Sequence, residues 1–313
     1  MILFIVKRVG FAILTLVVAT AIAFVLVHLS GSTPGGVVLG NSATPAQVHA
    51  YNAKIGWYDP WIVQYANWVG QVLHGDLGTS LIDGRDISGD ISKRLPVTAA
   101  LAVLGTIVSC AAGIAMGITA AVRGGAVDRG ITGTSGILLS LPVFWVGVLL
   151  VYVFAVQLRI LPATGFVPFA DSPQDWARSL VLPVVTIAIT SMAGIARQTR
   201  ASMGEALTQE HMRSLRALGT PTRRIVYVHA LRSASLPILA SIAIMFIVLF
   251  GGSTVIEVLF ALPGIGQAMQ AAVGSADLPM VQALVLVATL VVVIVNLALE
   301  LLTRALDPKL RAA

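Results

Sequence analysis

Few side chains in this 313-residue chain could do chemistry, and most are too scattered to act together. The five histidines, His28, His49, His74, His211 and His229, lie far apart. They form neither an HExxH helix nor a cluster with metal-ligand spacing, so no metal site is expected. Gly133–Thr134–Ser135–Gly136 sets a serine in a Gly-x-Ser-Gly frame, but a serine nucleophile needs a histidine base within hydrogen-bond reach. A phosphate-binding P-loop ends in Gly-Lys followed by Ser or Thr. The only lysines are Lys7, Lys54, Lys93 and Lys309, and none follows a glycine. Cys110 stands alone in an apolar run, where a small packed side chain is the plain reading. What does concentrate is arginine: RSLRALGTPTRRIVYVHALRSASLP, from Arg213 to Pro237, holds Arg213, Arg216, Arg223, Arg224 and Arg232.

That basic segment sits in a very apolar chain. Hydrophobic residues make up 57% and charged residues 11%, against about 25% charged in soluble globular proteins. A membrane span needs about 20 mostly apolar residues. Six stretches qualify or come close: 9–29, 97–121, 131–156, 180–196, 233–256 and 280–302. The fourth is short and contains Pro183, which is tolerated where neighbours satisfy the freed carbonyl. The first resembles a signal peptide, with Lys7 and Arg8 ahead of it and small residues Ser30–Gly31–Ser32 behind. Its apolar run is too long for a signal core and is expected to be retained as a helix.

The net charge of +6 is distributed as topology demands. With the N-terminus in the cytoplasm, the inner segments hold Lys7, Arg8, Arg123, Arg129, seven arginines within 197–232, Arg304, Lys309 and Arg311. The outer segments hold only Lys54, Arg85, Lys93, Arg94, Arg159 and Arg178, and most of the acids. No nucleic-acid module accompanies the charge, so no nucleic-acid partner is expected. Segment 197–232 cannot itself cross the bilayer, because seven arginines at mid-membrane would cost on the order of 20 kcal/mol. It reads as an inner loop, 30–96 as an outer one. QTRASMGEALTQEHMRSLRAL predicts one helix stopped by Gly219; Thr220 and Pro221 then serve as cap and first residue of a second helix, through about His229.

These residues resemble the cytoplasmic EAA loop of ABC importer permeases, in particular the dipeptide, oligopeptide and nickel branch. The likeness rests on Arg213–Ser214–Leu215–Arg216–Ala217–Leu218–Gly219, on Arg223–Arg224, and on His229–Ala230–Leu231–Arg232–Ser233–Ala234–Ser235–Leu236–Pro237. Other importers place a proline where Arg232 stands, whereas the peptide branch has arginine there. Leu215 and Leu218 depart from the small residue and the lysine usual at their positions. The likeness extends along the chain through VKRVGFAILTLVV, IGWYDPWIVQYANWVGQVLHGDLGTSL, GGSTVIEVLFALPGIG and NLALELLTRALDPKLR.

The resemblance implies an all-α integral membrane fold of about six transmembrane helices, a single type I importer permease domain over 1–313 with a helical coupling loop at 197–232. It implies that Glu205, Arg213, Arg216, Ala217, Gly219, Arg223, Arg224, His229 and Arg232 belong to a loop whose short helix docks on an ATPase. The expected partners are a second permease subunit, two ABC ATPase domains, an extracytoplasmic substrate-binding protein and membrane lipid. ATP and magnesium would be bound by the ATPases; this chain would hold no cofactor and be no enzyme. The cargo implied is di- or oligopeptides, nickel chelates and glutathione being carried in the same branch. The location implied is the bacterial cytoplasmic membrane, with both termini inside.

Three further features carry expectations. Trp57, Trp61, Tyr65 and Trp68 recur at helical spacing, so this face either lies at the outer interface or packs on the chain's own spans. Glu257, followed by Pro263 and Gly264, is an outer-gate or structural candidate near the end of the fifth span. Gly113 and Gly117 form a GxxxG suited to close helix packing. Two other functions compete. A secondary transporter or channel would need intramembrane charges or paired broken helices, which the span interiors do not show. A rhomboid-like protease built on Ser135 would need a histidine from a later span, and there is none.

Overall fold

The computed structural model describes the backbone of residues 2–40 and 42–306, and side chains within 8–40 and 42–303. Lys7, Arg304, Lys309, Arg311 and the Asp307–Pro308 end lie outside the described side chains. The described chain is helical, the β-structure being an isolated bridge between Thr79 and Asp86. In order the helices are α1 (Ile2–Leu29), α2 (Pro34–Leu39), α3 (Pro45–Lys54), α4 (Trp61–Leu73), α5 (Ile87–Arg123), α6 (Gly125–Ser140), α7 (Val143–Leu150), α8 (Pro173–Thr208), α9 (Glu210–Ala217), α10 (Thr222–Arg224), α11 (Leu231–Gly252), α12 (Thr254–Leu259), α13 (Ile265–Gly274) and α14 (Leu278–Leu306). A π-helical stretch, Val151–Gln157, prolongs α7, and another, Ile225–Ala230, joins α10 to α11.

Among the described residues, five helical segments are long and apolar enough to cross a membrane: Arg8–Leu29, Ile87–Arg123, Pro173–Thr208, Thr222–Gly252 and Leu278–Thr303. The expected third span, 131–156, is not one straight helix. Gly125–Ser140 and Val143–Gln157 meet at a 97° bend. Pro142 has no N–H to give and drives Leu141 out of the helical region, to ψ 130°. Two other spans are longer than their apolar runs. The helix of α5 begins ten residues early, where Arg94 Nε lies 2.7 Å from Asp90 one turn before it. The helix of α8 carries on through Arg197 and Arg200 to Thr208.

Contacts divide the chain into two compact units, residues 1–98 with 263–294, and residues 99–262 with 295–313. In the first unit, Tyr65 of α4 shares a 2.8 Å hydrogen bond with Thr20 of α1 and donates to the Val17 carbonyl. Thr98 Oγ1 accepts from the Ile265 N–H at 2.8 Å, satisfying one of the donors at the start of α13. In the second unit, α5 packs on α8 through glycine. A Cβ at Gly113 would come 2.7 Å from the Met192 carbonyl oxygen; one at Gly117 would come 2.5 Å from Thr199 Cβ. The GxxxG therefore serves packing within the chain.

Candidate functional site: an exposed basic turn on a buried core

The arginine-rich segment belongs to the second unit. Part of its apolar surface faces inward: Met203, Met212, Ile225 and Ala230 are almost wholly buried and pack with Ile118, Ala206, Val226, Ala234 and Ile238. Its charged side chains face outward, for Glu205, Arg213, Arg216, Arg223, Arg224 and Arg232 are all exposed and His229 is half-buried. An amphipathic segment is thus stapled to the base of the spans with its basic face free.

The local path departs from the expected one in two places. The first loop helix is not continuous: Gln209, at ψ 147°, breaks it between α8 and α9. The break turns Met212 back into the core, and Arg216 Nη2 then bonds the Leu207 carbonyl near the C-terminus of α8 at 3.3 Å. Arg216 therefore holds the turn together as well as facing solvent. The second loop helix is not separate. Pro221, not Thr220, is the cap, and from Thr222 the chain runs without a break into α11. Burial of Ile225, Val226 and Ala230 explains this, since the same face continues into the span.

Between α9 and α10 lies a Schellman turn. The Thr220 N–H bonds the Leu215 carbonyl and the Gly219 N–H bonds that of Arg216, both at 3.0 Å. Gly219 sits at φ +75°, a conformation that costs other residues about 1–2 kcal/mol. Around it a Cβ would meet open space. Beside it Leu218 is 81% exposed, an isolated apolar side chain at the tip of a charged turn. Sequence reasoning noted Leu218 only as a departure from lysine; its exposure is what gives it meaning. Ala217 is also exposed, on the same turn.

The remaining predicted residues fall elsewhere. The aromatic face packs on the chain's own first helix. His28 stacks on Trp57 at 4.2 Å and 5°, Phe24 lies edge-on to Trp61 and Tyr65, and Trp68 is buried. Trp57 is not on the helix of the other three, because Pro60 restarts the chain as α4. Glu257 is fully buried and accepts from Ser253 Oγ at 2.8 Å, so it is not a water-exposed helix end. Pro263 is exposed, whereas Gly264 is buried as the cap of α13. Arg200 is ion-paired with Asp128, which gives this arginine a structural partner on α6. Ser135 is buried, and its hydroxyl has no hydrogen-bond partner among the described residues. Among the described residues no group of three or more His, Cys, Asp or Glu could hold a metal.

One charged feature of the first unit escaped sequence reasoning. The Asp277 carboxylate, 3% exposed, accepts from Ser80 Oγ and, at 3.2 Å, from the Leu81 N–H. It borders a cleft of about 300 Å³ that also takes in Asp83, Arg85, Asp90 and Arg94. The Arg85 guanidinium, hydrogen-bonded to Asp83, holds that carboxyl at about 2. Only spacing in three dimensions joins residues almost 200 positions apart, so no local motif could have shown it. Asp277→Ala strands the buried Ser80 hydroxyl and the part-buried Leu81 N–H. It should cost about 1–3 kcal/mol, read as a lower thermal midpoint of the purified chain in detergent.

Comparison with known proteins settles the family. Residues 113–312 match the family described as binding-protein-dependent transport system inner membrane component, and residues 1–102 match the N-terminal family of the same membrane components. The chain belongs to this permease family. It is 35% identical over 309 residues to a probable peptide ABC transporter permease protein of Sinorhizobium fredii (strain NBRC 101917 / NGR234), covering 98% of this chain and 99% of that one. It is 32% identical to the oligopeptide transport system permease protein AppB of Bacillus subtilis (strain 168), and 34% identical to the glutathione transport system permease protein GsiC of Salmonella typhi. Each of these covers 98% of both chains. Among solved structures, the MetNI methionine ABC transporter in inward-facing conformations is similar in fold, with TM-score 0.58 and 18% identity over 69% of this chain and 96% of that one. This permease is thus a multi-pass integral membrane protein of the type I ABC importer fold. Membership in the family makes it one subunit of a larger transporter.

Proposed function

We propose that this permease forms half of the translocation pathway of an ATP-driven importer of peptides across the bacterial cytoplasmic membrane, both termini inside. A second permease chain completes the pathway, two ATPase domains bind ATP and magnesium, and an extracytoplasmic binding protein delivers the cargo. The observation that carries the reading is the turn at Leu218–Gly219: an exposed apolar residue on a segment with a buried core and exposed arginines. A helix end of this kind suits a groove on a partner, and a partner that grips it differently in two states biases the spans. The peptide cargo rests on the relatives that carry peptides and glutathione.

The test is purification of the tagged chain with its partners, followed by reconstitution and uptake of labelled dipeptides, oligopeptides and glutathione. Uptake that needs ATP and follows one of these cargoes supports the reading. Recovery of the chain without ATPases, or uptake that survives ATP depletion and collapses with an ion gradient, overturns it.

A further inference from the structure

A second basic feature in the same unit joins Arg223 of the expected coupling loop to Arg123, which lies outside that loop. The C-terminal end of α5 and the start of the helix leading into α11 enclose a pocket of about 210 Å³. Its lining includes Arg123 of α5 and Thr222 and Arg223 of α10. Neither arginine makes an ion pair with a described carboxylate, although arginine elsewhere in the chain does so, as at Arg94 and Arg200. Two arginines and a threonine lining one cavity offer a donor set for a phosphate group.

The surroundings decide what carries the phosphate. Val226 forms a buried apolar wall of the pocket, while Val122 is 43% and Tyr227 59% exposed at its edge. Arg123 stands two residues beyond the apolar run of α5, at the depth where the hydrocarbon gives way to headgroups. Exposed apolar side chains next to paired arginines at that depth suit a ligand with an anionic head and an oily body.

We propose that this pocket is a binding site for an anionic phospholipid of the inner leaflet, with Arg123 and Arg223 holding the phosphodiester and Val122 and Tyr227 lining the start of the acyl chains. The proposal rests on the topology above, which puts this end of α5 on the cytoplasmic side, and not on the cargo or the coupling role.

The test uses the full-length chain in nanodiscs of phosphatidylcholine containing a photoactivatable phosphatidylglycerol, with labelled peptides mapped by mass spectrometry. Labelling should fall within 118–123 and 222–227. It should drop about fivefold for each arginine removed in Arg123→Gln and Arg223→Gln. The control Arg129→Gln, an exposed arginine outside the pocket, should label as the parent does. Equal labelling by a photoactivatable phosphatidylcholine would overturn the proposal, because charge would then play no part. Displacement by millimolar inorganic phosphate would overturn the lipid assignment in favour of a soluble phosphate. Loss of labelling when ATPase subunits are added would overturn it in favour of a protein interface. All three readings are of binding, so they stand apart from any failure of transport.

Discussion

Gly219→Trp should abolish ATP-driven uptake while leaving the amount of folded chain in the membrane unchanged. The turn at Gly219 closes through backbone bonds from Gly219 and Thr220, and its positive φ suits glycine. A Cβ there meets no atom within 4 Å, so the substitution is not blocked at its base. The core beneath, Met212, Ile225 and Val226, is untouched. The damage is therefore confined to strain in one turn and to bulk at its tip. Bulk at the tip of a docking turn should lower uptake by more than about tenfold, the equivalent of about 1.4 kcal/mol of lost partner contact. Gly219→Asn separates the two causes, because asparagine tolerates the left-handed region and adds little bulk. It should retain most uptake. Uptake by Gly219→Trp at the parental rate, measured in proteoliposomes with equal amounts of chain, would sink the coupling role of the turn.

Gly117→Leu should have the opposite phenotype, loss of folded chain. A Cβ alone at this position lies 2.5 Å from Thr199 Cβ and 2.6 Å from the Ala196 carbonyl oxygen. The carbonyl belongs to the backbone of α8 and cannot rotate away, so the helices must separate. Overpacking of this kind costs about 1–3 kcal/mol, occasionally more, a large part of the margin of about 5–15 kcal/mol that holds a protein folded. Gly130 provides the contrast: it is helical, exposed and has open space around it. Gly130→Ala should be neutral or stabilise by up to about 1 kcal/mol through helix propensity. Measured as thermal midpoints in one detergent, the two substitutions should move in opposite directions. A Gly117→Leu protein as stable as the parent would show that α5 and α8 are not in close contact.

Much of this was legible in the residues because the bilayer is a severe solvent. A segment such as 280–302 must be helical and apolar, and seven arginines in 197–232 must stay out of the hydrocarbon, whatever the tertiary contacts. Gly219 was legible for a local reason, since a helix stop followed by Thr-Pro has few backbone solutions. The places where expectation failed are those where a long-range contact overrode a local preference. Gln209 has no strong helix-breaking tendency, yet the chain breaks there so that Met212 can return to the core. Glu257, an outer-gate or structural candidate by its place in the chain, is enclosed and bonded to Ser253, a contact no local pattern shows. The aromatic face left two readings open, and only the contacts with Phe24 and His28 chose between them.

The sequence by itself therefore determined membrane-spanning helices and a basic loop kept out of the hydrocarbon, which follow from transfer free energies and short-range backbone rules acting on each segment alone; the permease family was carried by the resemblance of its motifs. Only the tertiary structure decided that the third span bends by 97°, that Asp277 caps a loop almost 200 residues away, that Leu218 stands bare at the tip of the turn, and that Arg123 and Arg223 share a pocket. Each of these depends on which faces of distant helices meet, and no local pattern encodes that.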